Sequence, residues 1–180
     1  RYRDLDGDGI AYRTLPGSGL EPIVSRGTGR DEDGVYSEKA DVYRSNMERL
    51  RRKIEGARKD LPQPILREEK EKELGIIYYG SMENTIQEID DILEGTGMKV
   101  SQCRVRSLPL SPVVNDFIKA HDKIIVLEIN RDGQMYGILR KEVSTELVPK
   151  LSSVAFSDGL PPKAGEYAEA IMAELKGFDI

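Results

Sequence analysis

The chain has 180 residues, 33% charged and 38% hydrophobic, enough for one filled core with extra elements or for two small domains. Its 27 basic and 32 acidic side chains leave a net charge of -5, which argues against a general nucleic-acid binder, because phosphate contacts need a surplus of Lys and Arg on one face. No apolar run nears the roughly 20 residues that cross a bilayer, and no basic-then-apolar leader opens the sequence, so a cytoplasmic chain with no membrane partner is expected.

Residues 1–36 hold Gly7, Gly9, Gly17, Gly19, Gly27, Gly29 and Gly34 among Asp and Arg with no apolar period, the pattern of an irregular arm. An Arg1 start, with no element before the loop, is expected of a piece of something longer. Asp4, Asp6, Asp8 and Gly9 match positions 1, 3, 5 and 6 of a calcium loop, but position 12 is Leu15, which brings no bidentate carboxylate, and Pro16 and Gly17 block the helix that should follow. The three aspartates are therefore a weak metal candidate, and a turn in which they bond their own backbone is the favoured reading. The Gly7-Asp8-Gly9 triplet also looks like the magnesium–diphosphate motif of thiamine enzymes, but no apolar strand precedes it, and Asn46 follows at too long a gap. "GRDEDG" has the glycines of a P-loop, with Val35 and Tyr36 where Lys and Ser or Thr belong.

Tyr43, Met47, Leu50, Ile54, Ala57 and Leu61 recur at helical spacing, predicting an amphipathic helix over 37–61, capped by Ser37, stopped by Pro62 and solvated on its Arg/Glu face. "PQPILREEKEKEL" then has the composition of a spacer, so residues 62–73 are expected to link two domains. Over 74–180 strand and helix alternate four times: "GIIYYG" with "SMENTIQEIDDILEG", "MKVSQCRVRSL" with "SPVVNDFIKAHD", "KIIVLEIN" with "DGQMYGILRKEV", and "KLSSVAF" with "PPKAGEYAEAIMAELK", whose prolines mark the helix start. Such alternation predicts an α/β fold, a mostly parallel sheet with flanking helices. Ligands of these sheets sit beyond the carboxyl ends of the strands, here Gly80-Ser81, 107–110, 130–134 and 157–159.

At those ends "LEINRDGQM" places Glu128, Asn130, Arg131, Asp132, Gly133 and Gln134 between a buried strand and a helix. Two readings stand: an interface or ligand loop, or a plain turn with Asp132 capping the helix. Ser81 reads as the cap of its helix, and His121, in "KAHDK", as a helix-end structural histidine. Glu83, Glu88, Asp90 and Asp91 read as a solvated face. Cys103, the lone cysteine, reads as a buried apolar group that forms no internal disulfide and holds no iron–sulfur cluster.

Six stretches in order, "YRDLDGDGIAYRTLPG", "RGTGRDEDGVYSE", "MERLRRKIEGARKDLPQP", "GIIYYGS", "RVRSLPL" and "VLEINRDGQM", resemble the C-terminal part of the alpha subunit of 2-oxoacid:ferredoxin oxidoreductases, the 2-oxoglutarate type most. Ala11 departs from the family's frequent proline. The resemblance implies a connecting arm followed by a domain similar to the C-terminal domain of transketolases, non-catalytic by itself. It further implies a complex that decarboxylates a 2-oxoacid on thiamine diphosphate with magnesium, reduces ferredoxin through an iron–sulfur cluster and forms acyl-coenzyme A. The expected partners are the beta subunit and the preceding part of the alpha subunit. The family's cofactor and oxoacid contacts have no match in these residues, so no catalytic or cofactor-binding residue is assigned.

Overall fold

The computed structural model describes residues 2–20, 27–69 and 73–176. Residues 21–26 of the expected arm and 70–72 of the expected linker lie outside the described residues, as do 1 and 177–180. The chain divides into two compact units, Arg1–Leu61 and Pro62–Ile180.

In the first unit, loop segments lead into α1, Ala40–Ala57. The helix starts later than the sequence suggests, because Ser37 Oγ accepts from the nearby Lys39 N–H at 3.3 Å and closes a turn ahead of the helix; Lys39, with no side-chain cap, takes the capping position. It also ends earlier, as the Asp60 and Leu61 N–H groups both turn back onto the Ala57 carbonyl. The predicted apolar row is present but exposed, with Tyr43 64% and Ile54 52% accessible. The opposite face is only partly a solvated one. Arg51 pairs with Glu48 and Arg58 with Glu55, but Arg52 reaches Asp4 at 2.9 Å and Arg49 Nη1 donates to the Gly9 carbonyl at 2.9 Å, so α1 anchors the loop before it. Gly9 is required there: its φ is +87°, and a Cβ would fall 2.4 Å from the Lys53 backbone nitrogen.

In the second unit, among the described residues, five strands make one sheet in the order β1-β3-β2-β4-β5, with β1 Ile65–Arg67, β2 Leu74–Tyr79, β3 Ser101–Val105, β4 Lys123–Glu128 and β5 Leu151–Ala155. The last four strands are mutually parallel, as the strand–helix alternation predicts. β1 is antiparallel to β3 and falls inside the segment expected to be a spacer. It is an exposed edge strand, where prolines such as Pro62 and Pro64 just before it cost no ladder bond. Arg67 on this strand pairs with Asp90.

The connecting helices are α2 Ile86–Gly95, α3 Pro112–Ala120, α4 Gln134–Glu142 and α5 Ala164–Lys176. Ile76, Leu127 and Val154 pack with Ile89 and Leu93 of α2 and Tyr167 and Ile171 of α5. Ile77, Cys103, Ile124 and Val126 pack with Phe117 and Ile118 of α3 and Leu139 of α4. The period-two alternation thus sends neighbouring residues of each central strand to opposite cores. β4 is buried along its whole length, which is why residues 124–127 run apolar without a break between the buried Lys123 and Glu128 at its ends.

Local chemistry at the helix ends departs from expectation in several places. Before α2 the chain coils into a 3-10 turn over Gly80–Asn84, so Ser81 is too far upstream to cap the helix, and Thr85 holds that position. α5 begins two residues after Pro162 rather than at the prolines. His121 does lie at the end of α3, fully buried, with Nδ1 2.7 Å from the Phe117 carbonyl oxygen and its ring 4.3 Å from the Phe117 ring. The cation that serves this helix end is Lys150, whose Nζ donates to the carbonyls of Lys119 at 3.1 Å and His121 at 2.6 Å.

Candidate functional site

β2 lies between β3 and β4, so one connection leaves it toward one edge of the sheet while the next crosses toward the other. α2 packs on one face and α4 on the opposite one. The crevice between the carboxyl ends of β2 and β4 is therefore the topological switch point, where sheets of this kind hold ligands. Tyr79 ends β2 there and Glu128 ends β4.

Glu128 is 1% exposed, and a carboxylate removed from water needs donors. Its Oε2 accepts from the Met135 N–H at 2.7 Å, from Asn130 Nδ2 at 2.7 Å and from the Tyr79 hydroxyl at 3.3 Å, while Oε1 accepts from the Tyr136 N–H at 2.9 Å. Asn130 Nδ2 also donates to the Tyr79 oxygen at 3.0 Å, and Asn130 Oδ1 accepts from the N–H groups of Asp132 at 3.1 Å and Gln134 at 3.3 Å. Burial, then the Glu128 charge, raises the Tyr79 hydroxyl above its ordinary pKa, so it stays a donor.

Glu128 and Asn130 therefore carry the capping of α4, and Asp132 does not. Asp132 instead takes a two-point contact from its neighbour Arg131, at 2.7 and 3.0 Å, on an exposed tip where such a pair contributes little. Gly133 occupies the cap position at φ +59°, and a Cβ there would stand 3.2 Å from Ser153 Oγ. The Gln134 side chain faces solvent. Of the six residues expected in this loop, Glu128, Asn130 and Gly133 build the turn from within, while Arg131, Asp132 and Gln134 present an outer surface. Tyr79 is the member that sequence reading missed. Beside it opens a largely apolar cleft of about 460 Å³ whose lining includes Tyr79, Val105, Leu108, Met135 and Ile138 together with the predicted loop residue Gln134.

The aspartates of the first unit lie with carboxylate oxygens within 4.8 Å of one another. Asp4 already accepts from the N–H groups of Gly7 and Gly9, each at 3.1 Å, and from Arg52, which holds its carboxyl below the ordinary range. Asp8 accepts from the Ile10 N–H at 2.7 Å and Asp6 from the Tyr12 hydroxyl at 3.5 Å. These are the self-bonded turns that compete with ion binding. The Gly7-Asp8-Gly9 triplet does not fit a magnesium–diphosphate site either, since Asp8 and Gly9 are engaged as described and Asn46 Nδ2 donates to the Arg30 carbonyl at 2.8 Å. Cys103 does not fit an iron–sulfur cluster: it is the single cysteine, buried in β3, with its thiol pushed up to about 12 by burial.

No protein-family model matches the chain. Subunit alpha of 2-oxoacid:ferredoxin oxidoreductase 2 from Aeropyrum pernix is 29% identical to it over 181 residues, covering 98% of this chain. The chain is similar to a 2-oxoacid:ferredoxin oxidoreductase alpha subunit. It spans 27% of that relative's length. The 2-oxoglutarate:ferredoxin oxidoreductase of Magnetococcus marinus, solved with 2-oxoglutarate, coenzyme A and succinyl-CoA bound, shares the fold at a TM-score of 0.76 and 23% identity, over 93% of this chain and 29% of that one. A split-gene transketolase overlaps at a TM-score of 0.46 with 18% identity over 64% of this chain and 40% of its own, too loosely to bear on the fold. The six stretches that resemble an oxidoreductase alpha subunit thus lead to the same family as the match along 98% of this chain. Among the described residues no helix is long and apolar enough to cross a membrane.

Proposed function

We propose that this chain is a non-catalytic part of the alpha subunit of a cytoplasmic 2-oxoacid:ferredoxin oxidoreductase, of the 2-oxoglutarate type, and that it shapes and assembles the enzyme. The observation that carries this reading is the match to such a subunit along 98% of the chain. The geometry supports the non-catalytic half of it. The polar groups at the switch point satisfy one another, the Cys103 thiol is held protonated by burial, and the Asp4–Asp8 loop is tied down by Arg52 and its own backbone. In this reading the beta subunit and the rest of the alpha subunit carry thiamine diphosphate with magnesium and the iron–sulfur cluster, and ferredoxin and coenzyme A act on the full complex. The exposed row of Tyr43, Met47, Leu50 and Ile54 on α1 and the outer tip of Arg131, Asp132 and Gln134 are the surfaces this part offers to its neighbours in the enzyme.

Calorimetry of the 180-residue chain with thiamine diphosphate and magnesium is the test. The proposal expects no saturable heat. Saturable one-to-one binding overturns the assignment of the cofactor to other parts of the enzyme.

A further inference from the structure

The crevice at the end of β2 and β4 is built as an anion site and filled from inside. In parallel sheets the switch point presents the first N–H groups of a helix to an incoming phosphate or carboxylate. Here the same kind of donors, the Met135 and Tyr136 N–H groups of α4, converge with Asn130 Nδ2 from the loop and the Tyr79 hydroxyl from β2. What they converge on is a carboxylate that is 1% exposed and comes from the adjoining strand. A side chain that merely capped the helix would need no donor from a strand 49 residues away in sequence, yet Tyr79 supplies one.

We infer that Glu128 is an internal substitute for an anionic ligand. Its carboxylate occupies a preformed small-carboxylate site, and removing the side chain converts the crevice into a binding site for acetate. This inference does not depend on the oxidoreductase reading. Truncating Glu128 to alanine deletes Cγ, Cδ and both carboxylate oxygens, which are the heavy atoms of one acetate ion. The donors left behind come from backbone, a short amide and a tyrosine ring held by the sheet, so they remain aimed at the vacated oxygen positions. Butyrate has two methylenes more than the four heavy atoms that the truncation removes, so it exceeds the vacated volume. It follows that the native crevice is closed to free phosphates and carboxylates, because the Glu128 carboxylate already takes its donors.

The test is the thermal melting of the full chain carrying Glu128→Ala, in sodium acetate, sodium butyrate and sodium chloride at matched ionic strength. The expected result is a lower melting temperature than the parent in chloride and a selective rise in acetate, roughly 3 °C or more and growing with the logarithm of acetate concentration. The parent and Glu128→Gln, whose side chain fills the space, should respond equally to all three salts. If Glu128→Ala is unfolded in chloride, recovery of its near-ultraviolet circular dichroism in acetate supports the inference equally well. An equal response to acetate and chloride, an equal rise in butyrate, an acetate rise in the parent, or an unfolded variant that acetate does not recover overturns it.

Discussion

Replacing Glu128 by glutamine keeps the shape of the side chain and removes one acceptor and the charge. Whichever way the amide turns, its NH2 group faces a donor. With NH2 at the Oε1 position it meets the Tyr136 N–H, and the three donors on Oε2 keep a neutral oxygen. One buried donor left unpaired costs about 1–3 kcal/mol, and each of the other bonds loses about half its strength when the acceptor loses its charge. Release from burying a charge offsets part of this, leaving a net destabilisation of about 2–3 kcal/mol. Urea unfolding followed by circular dichroism measures it as a lower midpoint at an unchanged slope. A midpoint within about 0.5 kcal/mol of the parent would refute the claim that this carboxylate holds the loop together.

Three further outcomes follow from the same kind of reasoning. Burial raises the Asp90 carboxyl above its ordinary value, with Arg67 opposing the rise. The folded state therefore takes up this proton more readily than the unfolded one, and the associated stability is present at low pH and lost as pH rises through the raised value. Thermal melts between acidic and neutral pH should show the parent gaining on Asp90→Asn as pH falls; a gap that narrows instead contradicts the shift. Gly9→Ala introduces a Cβ where the Lys53 nitrogen already sits 2.4 Å away, so the loop must lift from α1. Limited proteolysis should then cut within residues 2–20 several times faster than in the parent, and an unchanged pattern would sink that reading. Cys103 is fully buried with its thiol pushed up to about 12, so a thiol reagent should label it only after unfolding; rapid labelling of the native chain would contradict the packing of β3.

The parts of the fold that follow from local rules were readable in the sequence. "KIIVLEIN" runs apolar because β4 is buried on both faces, and the helices of the second unit follow from periodicity that their cores then use. β1 was not readable, because three residues between prolines and charges carry no period, and what makes them a strand is pairing with Arg104, Cys103 and Gln102 far along the chain. The apolar row of α1 was visible as a pattern, but a pattern does not say what covers it. At the candidate site the loop was found and its wiring was not. Capping rules look a few residues ahead, which favoured Asp132, whereas Glu128 reaches the N–H groups seven and eight residues on. Tyr79 and the Asp4–Arg52 pair escaped for the same reason: their partners lie 49 and 48 residues away.

The central claim, that the chemistry belongs to other parts of an oxidoreductase to which this chain gives structure, is tested most directly by 2-oxoacid-dependent reduction of a viologen dye with coenzyme A present. The assay compares the 180-residue chain alone with a complex of the complete alpha and beta subunits, and with that complex lacking this part. The account predicts turnover by the complete complex only, with 2-oxoglutarate as a substrate. Turnover by the isolated chain, or full activity of the complex without it, would contradict the account.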